Sequence, residues 1–201
     1  MSRIHSARFN STFVAALALA SLTSLAAPLP GPYVAWSFES HSGSALTVSA
    51  PAGCSFASAV EGPARLADGK AGKALVFDGA SNYVTARLSP KDRLLAATPQ
   101  FTLMAWVYPE SAGGRRPILA KRMGQAGSRF VLTLRNRRLT FDGCDTAGKW
   151  SWNCDSGAVE VPKGRWTHVG VTADAPARKL TLFIDGKVVK EHTASADLVS
   201  N

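Results

Sequence analysis

Hydrophobic side chains along this chain fall in short runs rich in β-branched and aromatic residues, and most runs end at a glycine turn. Gly72-Lys73-Ala74-Leu75-Val76-Phe77-Asp78-Gly79 and Gly164-Arg165-Trp166-Thr167-His168-Val169-Gly170-Val171-Thr172 are the clearest. The second is followed by Leu180-Thr181-Leu182-Phe183-Ile184-Asp185-Gly186-Lys187. Runs this short, with almost no helical period, predict strands. They are expected at Tyr33–Phe38, Ala74–Phe77, Tyr83–Ala86, Phe101–Tyr108, Ile118–Arg122, Phe130–Leu134, Leu139–Phe141, Ala158–Val161, Trp166–Ala173, Leu180–Ile184 and Lys187–Glu191. Asp185-Gly186 sits where a two-residue hairpin loop belongs, and Arg135-Asn136-Arg137-Arg138 joins two more strands. In Phe101–Tyr108 both alternating sets are largely apolar, which predicts a central strand covered on both sides. Ser89–Leu95, with a capping serine and Pro90 at the first helical position, predicts one helical turn. Ser40 to Asp68 is rich in Ala, Ser, Gly and Pro and reads as a long meandering loop. The fold class expected is all-β, a two-sheet antiparallel sandwich.

The N-terminus follows a different pattern. Arg3, His5 and Arg8 precede an apolar run from Phe13 to Leu25, and Ser24-Leu25-Ala26 offers small residues for a signal peptidase. Residues 1–26 are therefore expected to be a signal-peptide helix, cleaved after Ala26. A membrane-spanning helix needs about 20 apolar residues, more than this run supplies, and no later segment is longer or more apolar. The expected product is secreted, periplasmic or held at the cell surface, with no membrane span. About 175 residues remain, enough for one domain with a real core.

Charge adds a candidate surface. The formal charge is +9, and losing Arg3 and Arg8 leaves +7. Ser111 to Phe141 holds no acidic residue, yet contains Arg115, Arg116, Lys121, Arg122, Arg129, Arg135, Arg137 and Arg138. Such a stripe attracts polyanions, unless its members are solvated strand ends and loops. Arg115, Arg116 and Arg137 are the candidate contacts taken from it. Specific nucleic-acid binding is not expected, because no reading motif accompanies the charge. Trp150 and Trp152 in Lys149-Trp150-Ser151-Trp152-Asn153 would, if extended, lie on one side and offer flat faces to sugar rings. Equally, they would pack down on a bridge between Cys144 and Cys154. Those two cysteines flank a turn-rich connection and, in an oxidising compartment, are expected to pair. Cys54 is left over, and no close Cys or His set suggests zinc.

The motif order Gly-Lys-Ala-Leu-Val-Phe-Asp-Gly, Tyr83-Val84, Phe101-Thr102-Leu103-Met104-Ala105-Trp106-Val107-Tyr108-Pro109, Ile118-Leu119-Ala120-Lys121, Gly164-Arg165-Trp166-Thr167-His168-Val169, Leu182-Phe183-Ile184-Asp185-Gly186-Lys187 resembles the LamG-like jellyroll family of the concanavalin A-like lectin/glucanase superfamily. The resemblance implies a jellyroll domain over residues 32–201, in exported proteins that bind glycans or proteins or act as spacers. It makes Trp106 and Trp166 core tryptophans. It also implies a closing strand beside the first one; none is found before Asn201, so Tyr33–Phe38 is expected to lack its partner and the chain to lack its last strands. Many relatives hold calcium, which needs six to eight oxygen ligands. The set cannot be assembled here, and Asp78 reads as a turn residue.

Glycan cleavage needs two carboxylates held about 5 to 10 Å apart. Glu39, Glu61, Glu110, Glu160 and Glu191 are scattered singly, so an enzyme is not expected. His168 reads as a structural histidine exposed on a sheet face. The function expected is a noncatalytic exported binding module for carbohydrate, in its sharper form an acidic polysaccharide, or for cell-surface adhesion. A structural or protein-interaction domain is the alternative, and a glycoside hydrolase the distant one.

Overall fold

The computed structural model describes residues 3–5, 10–14, 34–50, 56–63, 65–88, 100–121 and 130–197. In chain order its strands are β1 (Arg3–His5), β2 (Asn10–Val14), β3 (Ala35–Ser42), β4 (Ala45–Ser49), β5 (Phe56–Glu61), β6 (Arg65–Asp68), β7 (Lys73–Asp78) and β8 (Tyr83–Leu88). They continue as β9 (Gln100–Pro109), β10 (Arg115–Lys121), β11 (Phe130–Arg135), β12 (Arg138–Cys144), β13 (Trp150–Glu160), β14 (Thr167–Asp174), β15 (Lys179–Ile184) and β16 (Lys187–Thr193). Two sheets form, a larger one in the order β13-β12-β11-β10-β1-β8-β5-β4-β3 and a smaller one in the order β16-β15-β14-β9-β2-β7-β6. Every pairing is antiparallel. The all-β sandwich expected from the sequence is the fold.

Alternation along the strands builds the core. Leu75, Phe77, Leu103, Val107, Val169, Val171, Leu180 and Leu182 come from the smaller sheet. Leu132, Leu134, Leu139, Phe141, Trp152 and Val60 meet them from the larger. Each such side chain, fully buried, contributes about 1.5 to 3 kcal/mol of transfer free energy. Phe101 of β9 lies 6.0 Å from Phe130 and 6.2 Å from Phe141, so an aromatic trio ties the sheets together.

Several expectations change. The segment from Ser40 to Asp68 is no loop: it carries the end of β3 and all of β4, β5 and β6. Its strands are short and alternate Ala and Ser with single apolar anchors such as Leu46 and Val60, so cross-strand partners supply the stability that local propensity does not. Gly62 shows how tightly this region packs: its φ is +79°, and an added Cβ would lie 2.2 Å from the Ser81 carbonyl oxygen. Strand β9 is central, between β14 and β2, but only one face is covered. Leu103 and Val107 enter the core while Met104 is 48% exposed.

Strand β3 is an edge strand, bonded on one side to β4. Its register shifts between Trp36 and His41, and Phe38 takes a φ of 57°. Such an irregularity blunts an edge against pairing with other chains. The turn expected at Ser89–Leu95 lies outside the described residues. Of the leader's apolar run, Phe13 and Val14 end β2, and the remainder, including the helix expected there, lies outside the described residues. Among the described residues no helix is long and apolar enough to cross a membrane.

Candidate anion-binding site

The basic stripe condenses where β10, β11, β12 and β13 end together. Asn136 and Arg137 form the two-residue turn between β11 and β12, with φ of 50° and 67°, the left-handed pair that matches strand twist. Asn136 N–H donates to the Gly114 carbonyl at 2.8 Å, and Gly114 N–H donates to Asn136 Oδ1 at 2.9 Å. Val161 N–H donates to the Arg137 carbonyl at 2.8 Å. The turn is thereby fixed to the start of β10 and the end of β13.

Register then lines up like charges. Arg115 lies opposite Arg135, Arg135 opposite Arg138, and Arg138 opposite Glu160. At about 4.8 Å between strands, the three arginines span roughly 10 Å. Alternation with the core residues Leu134 and Leu139 puts Arg135 and Arg138 on the face turned away from the core. Like charges directly opposite destabilise a sheet, so acids must come from elsewhere. Asp142 accepts from Arg135 at 3.4 Å and lies 3.7 Å from the Arg115 guanidinium. Asp155 lies 3.8 Å from Arg138, and Glu160 pairs with Arg137. Arg116 donates to the Ser111 hydroxyl; burial lowers its pKa without threatening its charge. Four guanidinium groups share three carboxylates, an excess of one positive charge. The ion-paired arginine side chains are 33 to 48% exposed, so their remaining donors reach solvent.

The structure sets Arg115 and Arg137 beside Arg135 and Arg138, which were not among the candidates, whereas Arg116 lies opposite Leu134 and so on the other face of the sheet. The signal for Arg135 and Arg138 was present: each adjoins an apolar residue, Leu134 or Leu139, that period-two alternation sends to the core. Lys121 is not in the group. It stands at the far end of β10, buried, and its pKa is lowered by that burial. Arg122 and Arg129 lie outside the described residues.

The two tryptophans do not form one platform. Gly143 pairs with Trp152 and Cys144 with Trp150, so Ser151 is an extra residue, a bulge that turns the two indoles to different environments. Trp152 is fully buried in the core and its indole N–H donates to the Ala196 carbonyl at 2.6 Å. Trp150 is 38% exposed. Opposite Cys144, it lies six positions along β12 from Arg138, about 20 Å away.

Nor do Cys144 and Cys154 pair. Cys144 lies opposite Trp150 and Cys154 opposite Phe141, three steps out of register or about 10 Å along the strands. A disulfide requires Cα atoms within about 7 Å. Both are buried thiols, and burial pushes the Cys154 pKa up to about 11.

Other acids are committed to local structure. Asp78 accepts from the Ser81 hydroxyl and from the N–H groups of Ala80 at 2.8 Å, Ser81 at 2.8 Å and Asn82 at 3.2 Å. Those bonds hold its carboxyl far below the usual range and make it a turn residue. Glu39 accepts from Lys73 N–H at 3.1 Å, Glu61 from Thr85 at 3.0 Å, and Glu191 pairs with Lys179 at 2.6 Å. Among the described residues no group of three His, Cys, Asp or Glu side chains is placed to hold a metal ion. Trp106 is half-buried on the outer face of the smaller sheet and not in the core, with His168 5.2 Å and Lys70 Nζ 5.3 Å from its ring. Trp166 packs 5.4 Å from Tyr108. Burial of His168 favours its neutral form.

No curated protein matches the chain. A family model described as concanavalin A-like lectin/glucanases superfamily matches residues 78–201, which include β9 to β16 and every arginine of the site. With the two-sheet antiparallel sandwich, that match places the chain in the concanavalin A-like lectin/glucanase superfamily.

Proposed function

We propose that this protein is an exported, noncatalytic binding module whose ligand is an acidic polysaccharide. The in-register row Arg115, Arg135 and Arg138, flanked by Arg137, carries the reading. Guanidinium groups spaced by strand separation on a hydrogen-bonded frame offer planar, preorganised donors to carboxylates or sulfates. Two of the three arginines share one aspartate, which leaves donor capacity for a ligand. The noncatalytic part of the reading is supported by the carboxylates, since Glu39, Glu61, Glu160 and Glu191 each engage a partner of their own. The test is a glycan array probed with the full chain. Signal on polyuronates and sulfated glycans, erased by high salt and absent from neutral glucans, is the expected result. Equal signal on neutral glycans, or none on any anion, contradicts it.

A second reading, a protein-interaction domain, draws on the outer face of the smaller sheet. Register sets Met104, Gly170, Phe183 and Val188 in one row across four strands. Met104 is 48% and Val188 55% exposed. An array blank for glycans would favour this face as the working surface.

A further inference from the structure

An interior strand of each sheet comes from the N-terminal residues. In the smaller sheet β2 runs antiparallel to both β7 and β9: Thr12 lies opposite Val76 and Tyr108, and Phe13 opposite Leu75 and Val107. In the larger sheet β1 runs antiparallel to both β8 and β10, with Ile4 opposite Ala86 and Lys121. Neither β7 with β9 nor β8 with β10 is a hydrogen-bonded pair in the sheet order. Among the described residues, β1 and β2 close the two gaps.

We propose that these two gaps form a strand-acceptor site for an extended polypeptide, occupied in this chain by its own β1 and β2. Each gap presents facing rows of backbone donors and acceptors, and a strand laid between them satisfies both rows at once. Main-chain bonds supply the affinity, and the register positions supply the selection. Position 13 faces Leu75 and Val107, both fully buried, and demands an apolar residue. Position 11 faces the buried Phe77 and Pro109. Proline is excluded from the middle of the segment, because a strand paired on both sides needs its N–H groups. The occupant this chemistry selects is a proline-free extended segment with an apolar residue at the place of Phe13, running antiparallel to both neighbours. Cleavage after Ala26, as expected from the sequence, cuts the covalent tie of residues 3–14 to the sandwich. Non-covalent contacts alone then retain them, and a donor segment of a partner polypeptide exchanges for them.

The test uses the full chain with a specific protease site between Ala26 and Tyr33. The chain is cut under native conditions and given an excess of fluorescein-labelled synthetic peptide of residues 1–16. The label is expected to elute with the sandwich on gel filtration, and the same peptide carrying Thr12→Pro to bind at least 50-fold more weakly. If the cut sandwich loses cooperative unfolding, restoration by the unmodified peptide supports the site, and failure to restore it counts against it. A label that elutes apart from the sandwich, or equal binding of both peptides, overturns the proposal. In the uncut chain Thr12→Pro is expected to lower the unfolding midpoint, and an unchanged midpoint likewise overturns it.

Discussion

Asn82 does more for this fold than its type suggests. It is buried, its amide donates to the Pro63 carbonyl at 2.8 Å and the Val76 carbonyl at 3.0 Å, and its Oδ1 accepts from Asp78 N–H at 2.9 Å. Asn82→Ala strands buried backbone groups and is expected to cost about 3 kcal/mol in urea unfolding. Trp152→Ala is expected to cost about 4 kcal/mol, because it empties the core, whereas Trp150→Ala costs under about 1. Equal losses would contradict the split of the two indoles. Cys154 gives a pH signature. Its folded pKa, about 11, stands above the ordinary thiol value of 9.0 because burial disfavours the thiolate. The unfolded chain therefore releases that proton first, and stability present below pH 9 is lost as pH rises towards 11. Thermal unfolding across that window should fall more steeply for the natural chain than for Cys154→Ala. At this scale the sequence was a partial guide. Asp78 as a turn residue was legible from the following glycine, but the fates of Trp150 and Trp152 turned on one extra residue, Ser151, and a bulge leaves no mark in composition.

Among the elements, the β11–β12 hairpin couples stability to binding. Arg137 holds a left-handed backbone that costs a side-chain-bearing residue about 1 to 2 kcal/mol, and its half-exposed pair with Glu160 returns less than that. Arg137→Gly is therefore expected to leave the unfolding midpoint unchanged or slightly higher while weakening acidic-glycan binding about threefold. A fall in both would mean that the turn depends on the arginine itself. Strands anchored by runs such as Leu180-Thr181-Leu182-Phe183-Ile184 were readable because their apolar residues alternate and end in turn chemistry. Strands β4, β5 and β6 were not, since Ala and Ser carry little signal until neighbours pair with them. The Arg135-Asn136-Arg137-Arg138 connection was legible as a hairpin; that it aligns Arg115, Arg135 and Arg138 is a property of register, which only the paired sheet defines.

For the whole molecule, short glycine-punctuated runs were enough to indicate two stacked sheets, because burying one face of every strand leaves few alternatives. Which strand sits where was less accessible: the acids that offset the stripe, Asp142, Asp155 and Glu160, follow it in sequence and return beside it only through β12 and β13. What remains is a net positive row on a rigid sheet end, and a polyanion is its natural counterpart. Affinity electrophoresis through gels containing polygalacturonate tests this most directly, run for the natural chain beside Arg115→Ala/Arg135→Ala/Arg138→Ala at two salt concentrations. Retardation of the natural chain that fades with salt, together with free migration of a triple variant that still unfolds cooperatively, is the predicted result. Equal retardation of both proteins, or of neither, would contradict it.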